Sequence, residues 1–190
     1  MKKLTAVLVF LLVSGIVTAN EYTHPFWSLG TSALFYGDPA VKEQNETLKK
    51  QDYKSLILTG EFGGRFQLDD KVDFVLSAYL TFDSLGKQTK SILRLDYGVT
   101  GGVNLRPGLG GLSIGCEYCT GQRADIDHLD SGTADATATQ WGNGYRFRFE
   151  YDFSALFNGI APVLGVSWKS IPRGNNCRDG NLAFYFRLVG

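Results

Sequence analysis

Helix-forming sequence is scarce in this chain, and no long apolar run follows its first twenty residues. A transmembrane helix needs about 20 consecutive apolar residues, so the body of the chain has no helical way across a bilayer. An excess of charge of one sign is also missing: 19 Lys and Arg stand against 19 Asp and Glu. That removes the electrostatic ground for a nucleic-acid partner, which needs a basic excess or stripe. Cysteine is limited to Cys116, Cys119 and Cys177, an odd number that leaves at least one thiol outside any bridge within a monomer. Cys116 and Cys119 have CxxC spacing, but residues three apart in a strand face opposite sides, which argues against a redox or zinc pair. A Cys119–Cys177 bridge between neighbouring loop bases stays open. Methionine is nearly absent (1) and proline modest (5), while glycine (23) and aromatics (13%) are abundant. That balance suits an all-β protein, and no cofactor is expected.

Residues 1–19 read as a targeting segment. Lys2 and Lys3 give a positive start, residues 4–17 an apolar core, and Val17-Thr18-Ala19 small residues for cleavage before Asn20. No Cys follows the core to take a lipid anchor. The expected organisation is a signal peptide over 1–19 and a single domain over 20–190.

The dominant signal beyond residue 20 is alternation of period two. In the clearest segment Tyr145, Phe147, Phe149, Tyr151 and Phe153 fall on one face, and Arg146, Arg148, Glu150 and Asp152 on the other. Seven more segments behave similarly: 26–36, 55–68, 72–82, 92–105, 112–119, 160–169 and 181–189. Most have about 10 residues, the length of a tilted membrane-crossing strand. Connections 37–54 and 120–140 are long, and 83–90 and 172–180 are polar. Those at 69–71, 106–111 and 154–159 are short or compact. Long loops thus share one side, the asymmetry of outer-membrane barrels.

Alternation alone also fits a soluble barrel with its apolar face inward. Three features favour the inverted arrangement. Strand cations are mostly Arg (Arg65, Arg94, Arg146, Arg148, Arg187), with Lys169 the exception, while Lys42, Lys49, Lys50, Lys54, Lys71, Lys87 and Lys90 gather in connections. Arg forks suit enclosed, multiply bonded networks. Those strand cations are matched by Glu61, Asp73, Asp96, Glu117, Glu150 and Asp152, as an enclosed lumen requires. The bulk of the aromatic face would overfill an eight-stranded interior, whereas outside it forms a lipid-facing band, with Trp27, Trp141, Trp168, Tyr36, Tyr97 and Tyr151 near the segment ends. The expected fold is all-β: an eight-stranded antiparallel up-and-down transmembrane β-barrel.

On this pattern the mature chain resembles the small bacterial outer-membrane barrels of the OmpA/OmpX, OmpW and opacity-protein type. It shares their signal segment, eight alternating strands, one-sided long loops and aromatic-rich last strand, Asn181 to Gly190. The resemblance implies an outer-membrane location, lipid or lipopolysaccharide neighbours, and insertion by the barrel-assembly machinery. Such proteins end in Phe or Trp. Gly190 stands there instead, with Phe186 the nearest aromatic.

The twelve paired strand charges are the first candidate site, read as a structural plug in preference to an ion path. Asp125, Asp127 and Asp130 form a second, a candidate weak cation loop lacking the terminal Glu of an EF-hand and read as a solvated loop. His128 with Ser131 gives a third reading, lipid A modification. A loop does not hold nucleophile and base within reach, so no enzyme is expected. The favoured function is structural or surface-interacting, with loops 37–54 and 120–140 meeting host surface molecules. The alternative is a narrow pore or an OmpW-like conduit for small hydrophobic molecules.

Overall fold

A computed structural model describes residues 23–129, 134–157, 159–174 and 179–190. The proposed signal segment, Asp130, Ser131 and Cys177 lie outside them. The strands are β1 (Thr23–Tyr36), β2 (Lys54–Asp69), β3 (Val72–Lys87), β4 (Lys90–Leu105), β5 (Leu112–His128), β6 (Asp135–Ala138), β7 (Gly142–Asp152), β8 (Ala161–Ser170) and β9 (Gly180–Val189). One helix, α1 (Pro39–Lys50), joins β1 to β2.

Sequential neighbours pair antiparallel from β1 to β5, then β5 with β7, β7 with β8 and β8 with β9. β9 pairs back onto β1, closing eight strands into an up-and-down barrel. Closure leaves no free edge over the part that carries the apolar belt. β6 is the upper half of a broken strand: it pairs with β5 at Ala124–Asp127, and β7 takes over from Gly121 downward. The break is sealed locally, because Thr139 N–H donates to the Arg123 carbonyl at 2.9 Å and Gln122 Nε2 to the Thr139 carbonyl at 2.7 Å. At the seam, Gly190 and Trp27 exchange both backbone hydrogen bonds. A side chain at 190 would run into the Trp27 indole, 2.8 Å from where its Cβ would stand.

The alternation puts the apolar side out. Phe147 is 46% exposed, Phe149 50% and Phe184 53%, whereas Arg148 is 7%, Glu150 6% and Arg187 8% exposed. Trp27, Leu58, Phe62, Leu80, Tyr118, Leu164 and Trp168 are exposed around the same belt. Soluble monomers rarely leave a contiguous apolar patch above a few hundred Å², and a belt around the whole barrel calls for hydrocarbon. Across the outer face, Phe147 stacks on Trp168 with centroids 5.8 Å apart, Phe35 meets Phe184 edge-on at 6.0 Å, and Tyr118 meets Tyr145 at 5.8 Å.

The two sides of the barrel differ in build. At one end lie both described termini and the connections 70–71, 106–111 and 153–160, the last holding a single 3-10 turn. At the other end the strands run on past the belt. The polar connection expected over 83–90 is corrected to a tight turn: β3 reaches Lys87 and β4 starts at Lys90, with Gln88 between them at φ +56°. Its alternation continues, with Asp83, Leu85, Ile92 and Arg94 all buried inward. The long loop expected over 120–140 is corrected in the same way, because β5 extends to His128 and β6 folds back on it. The connection 37–54 holds α1, started by the Asp38 side chain accepting from Ala40 N–H at 3.0 Å and by Pro39 in the first turn.

Candidate functional site: a charge-filled lumen under a helical cap

The inward faces carry polar residues stacked in three layers. The central layer sets three carboxylates against three guanidiniums. Glu61 on β2 accepts from Arg146 at 2.8 Å, Arg187 at 2.9 Å, Arg148 at 3.2 Å and the Ser77 hydroxyl at 2.5 Å. Glu117 on β5 accepts from Arg146 Nε at 2.7 Å and pairs with Arg148. Glu150 on β7 takes Arg187 at 2.6 Å and the Tyr185 hydroxyl. The groups come from β2, β5, β7 and β9, so the layer crosses the whole interior. Each carboxylate meets at least two donors, the condition under which buried ions are tolerated.

The layer toward the long-connection end is built on Asp96. It accepts from Arg173 at 2.7 Å and pairs with Lys169. Asp179 then joins Arg173 to Arg123, at 2.9 Å for the latter. Arg123 also reaches Asp125 at 3.1 Å and Asp38 at 3.7 Å. Burial alone would lower the Arg173 pKa, but Asp96 and Asp179 beside it hold it above its ordinary value. Asp83 accepts from the Tyr36 hydroxyl at 2.5 Å and faces Arg94 at 3.5 Å. The third layer, at the short-turn end, pairs Asp73 with Arg106, and with Arg65 at 3.8 Å.

Helix α1 covers the outer mouth. Arg94 donates to Asn45 Oδ1 and Gln44 Oε1, both at 2.7 Å. Leu48 packs on Leu85 and Ile92, with Tyr53 and Leu129 beside them. Both contacts run from the helix to inward-pointing strand residues, so α1 lies over the lumen. A cavity of about 70 Å³ lies beside Ser28, Ser32, Thr59, Tyr79, Asn181 and Tyr185, room for a few waters, and a larger one of about 480 Å³ lies at the mouth between Gln44, Ile92, Asp125, Asp127 and Asp135. Part of the filling is aromatic: the Tyr185 ring lies across Gly165, where a Cβ would come within 2.6 Å of it.

Glu61, Arg65, Asp73, Arg94, Asp96, Glu117, Arg146, Arg148, Glu150, Lys169 and Arg187 all lie in these layers. Asp152 shares their face, but its carboxylate accepts from Ser154 N–H at 2.7 Å at the turn. Asp125 and Asp127 are strand residues here, not part of a loop. Asp125 pairs with Arg123, and Asp127 accepts from Leu129 N–H at 2.8 Å. Among the described residues no group of three or more acidic, His or Cys side chains is arranged to hold a metal. Cys116 is exposed on the outer face and Cys119 fully buried on the inner one, so the CxxC pair is split by the sheet. His24 and His128 stand at opposite ends of the barrel.

No protein-family model and no curated protein sequence matches the chain. Solved structures do match. Neisserial surface protein A aligns at TM-score 0.55 and 8% identity, covering 89% of this chain and 98% of that one. Ail, the attachment invasion locus protein of Yersinia pestis, aligns at TM-score 0.54 and 12% identity, covering 90% and 98%. The structure of Ail in complex with the heparin analogue sucrose octasulfate gives 0.51 and 10%, covering 88% and 95%. The fold is that of the small outer-membrane barrels. At these identities the likeness is one of architecture.

The partners Asp83, Arg106, Arg123, Arg173, Asp179, Gln44 and Asn45 were not among the sequence candidates. Asp83 and Arg123 sit ten and six residues beyond Asp73 and Glu117, on the same face of the same strands. That parity was the available signal. Arg173 and Asp179 fold inward from a connection, and alternation carries no information there.

Proposed function

We propose that this chain is an outer-membrane protein, exported by the signal peptide over 1–19, with one barrel domain over 20–190. Its lumen is a structural plug and its activity lies on the outer rim, in contacts with host or neighbouring cell surfaces. The observation that carries this reading is the pairing of the plug with its cap. Glu61, Glu117 and Glu150 lock onto Arg146, Arg148 and Arg187 across the whole interior, and α1 is tied to Arg94 above them. A conduit would gain nothing from that closure. The rim carries what varies from the bare barrel, namely α1, the raised β3–β4 turn and the β5–β6 hairpin. Rigid scaffolds carry recognition on such segments. The fold shared with an attachment protein seen with a heparin analogue agrees with a surface role and suggests sulfated glycan as a first ligand to try. The barrel-assembly machinery is the partner in biogenesis. Catalysis has no support in the placement of His24 and His128.

Two readouts test the proposal. Refolded protein in a planar bilayer should give no stable unitary current, and steady conductance steps would favour the pore. Cells displaying the chain should adhere to immobilised sulfated glycan, and replacing 39–50 by a Gly-Ser linker should abolish that adherence. Adherence unaffected by the replacement would remove α1 from the role.

A further inference from the structure

The cavity at the mouth is used neither by the plug nor by its cap. On β5 and just past its end, Asp125, Asp127 and Leu129 continue the inward parity of Glu117, Cys119 and Arg123. β6 sets Asp135 opposite Asp127 and Thr137 opposite Asp125, so these two share that face. On the other side Ile92 of β4 stands opposite Asp127. Gln44 of α1 completes the wall. Together they bound about 480 Å³, a volume within the range of small-molecule sites.

The cations nearby are already committed. Arg94 donates to Gln44 and Asn45 and faces Asp83. Arg123 is shared among Asp38, Asp125 and Asp179. Asp127 accepts from Leu129 N–H at 2.8 Å, and among the described residues neither it nor Asp135 takes part in an ion pair. Like charges directly opposite on one face of a sheet are destabilising, so the fold itself gains nothing from this pair. Nor do the carboxylates converge on one point: among the described residues no group of them is placed to hold a metal ion. Ile92 and Leu129 add aliphatic surface beside them.

These features select the chemistry of the ligand. Carboxylates that do not meet call for a ligand with more than one cationic group. Asp125 and Asp127, two residues apart on one strand, are about 7 Å apart, and Asp127 and Asp135, directly opposite, about 5 Å between Cβ atoms. About three or four methylenes between ammonium groups span intervals of that size, and a methylene chain suits Ile92 and Leu129. A single lysine from a partner would answer one carboxylate and leave the other unpaired. With α1 forming part of the wall, the cavity suits a slender chain better than a folded partner.

We infer that the cavity between α1, β4, β5 and β6 binds an aliphatic polyamine, held chiefly by Asp127 and Asp135 with Asp125 beside them. This rests on the inward parity of β5 and β6 at the mouth, and not on the surface-interaction role. The test uses the full chain refolded in phosphatidylcholine nanodiscs and titrated with spermidine by isothermal calorimetry at low salt. The wild type should show one saturable site. The variant D127N/D135N should weaken it by about tenfold or more, while E43Q/E46Q, which removes the same charge from the exposed face of α1, should leave it unchanged. T137W, which keeps every carboxylate and fills the cavity from β6, should abolish binding. Butylamine, with one ammonium, should bind at least about tenfold more weakly than spermidine. Heat-modifiability on a gel reports folding in every case, so a variant that fails to insert is distinct from one that fails to bind. Spermidine affinity unchanged in D127N/D135N or T137W, or equal loss in E43Q/E46Q, overturns the inference. So does tighter binding of Mg²⁺ or of a trilysine peptide than of spermidine, because the mouth would then serve a metal ion or a protein partner.

Discussion

Glu61→Leu is expected to destabilise the barrel by about 3–5 kcal/mol, the cost of breaking a buried ion cluster by removing one partner. Glu61 receives Arg146, Arg148, Arg187 and Ser77, so its loss leaves three guanidiniums sharing Glu117 and Glu150. The side chain is 8% exposed, which limits rescue by water. Urea unfolding in lipid vesicles, followed by tryptophan fluorescence, measures the effect. The double variant Glu61→Leu/Arg148→Leu restores equal charge and should recover part of the loss, because a pair exchanged for apolar groups often costs little. A single variant within about 1 kcal/mol of wild type, as for a solvated surface pair, would mean that water screens the lumen and that it is no plug.

The second large effect is expected on the other face. Phe149→Arg should cost about 2–4 kcal/mol, the range for a cation on the lipid side near the bilayer midplane. Phe149 is 50% exposed and lies mid-strand on β7, between Arg148 and Glu150, which are buried. The same change at Ala138, exposed on β6 beyond the belt, should stay within about 0.5 kcal/mol. The same unfolding assay reads both. Equal, small costs at the two positions would mean that Phe149 faces water.

The barrel was legible in the sequence because the membrane imposes one rule on every strand: apolar out to lipid, polar in. Tyr145 to Asp152 obeys that rule without exception, and pairing and closure follow from eight such segments. Legibility stopped where the belt stopped. Beyond Phe82 and Cys119 the outward face turns mostly polar and the apolar residues thin out to Leu85, Ala124 and Ile126, so Asp83 to Lys87 and Thr120 to His128 resemble loop, although they continue the ladder. Helix α1 carried its own signals, Asp38-Pro39 at the start and Val41 and Leu48 seven apart as its buried contacts, but a charged connection of that length hid them. Alternation identified which charges face inward. It could not say which would meet, since Glu61 and Arg187 are 126 residues apart and become neighbours only when β9 closes onto β1.

The orientation of the two faces can be measured along one strand. In a cysteine-free background, single nitroxide labels at positions 145 to 152 are compared for collision with oxygen, which concentrates in hydrocarbon, and with a water-soluble nickel chelate. Labels at 147, 149 and 151 should be strongly oxygen-accessible, and those at 146, 148 and 150 shielded from it. A flat profile, or oxygen accessibility at the arginine positions in place of the phenylalanine ones, would contradict the arrangement on which the plug, the belt and the rim all depend.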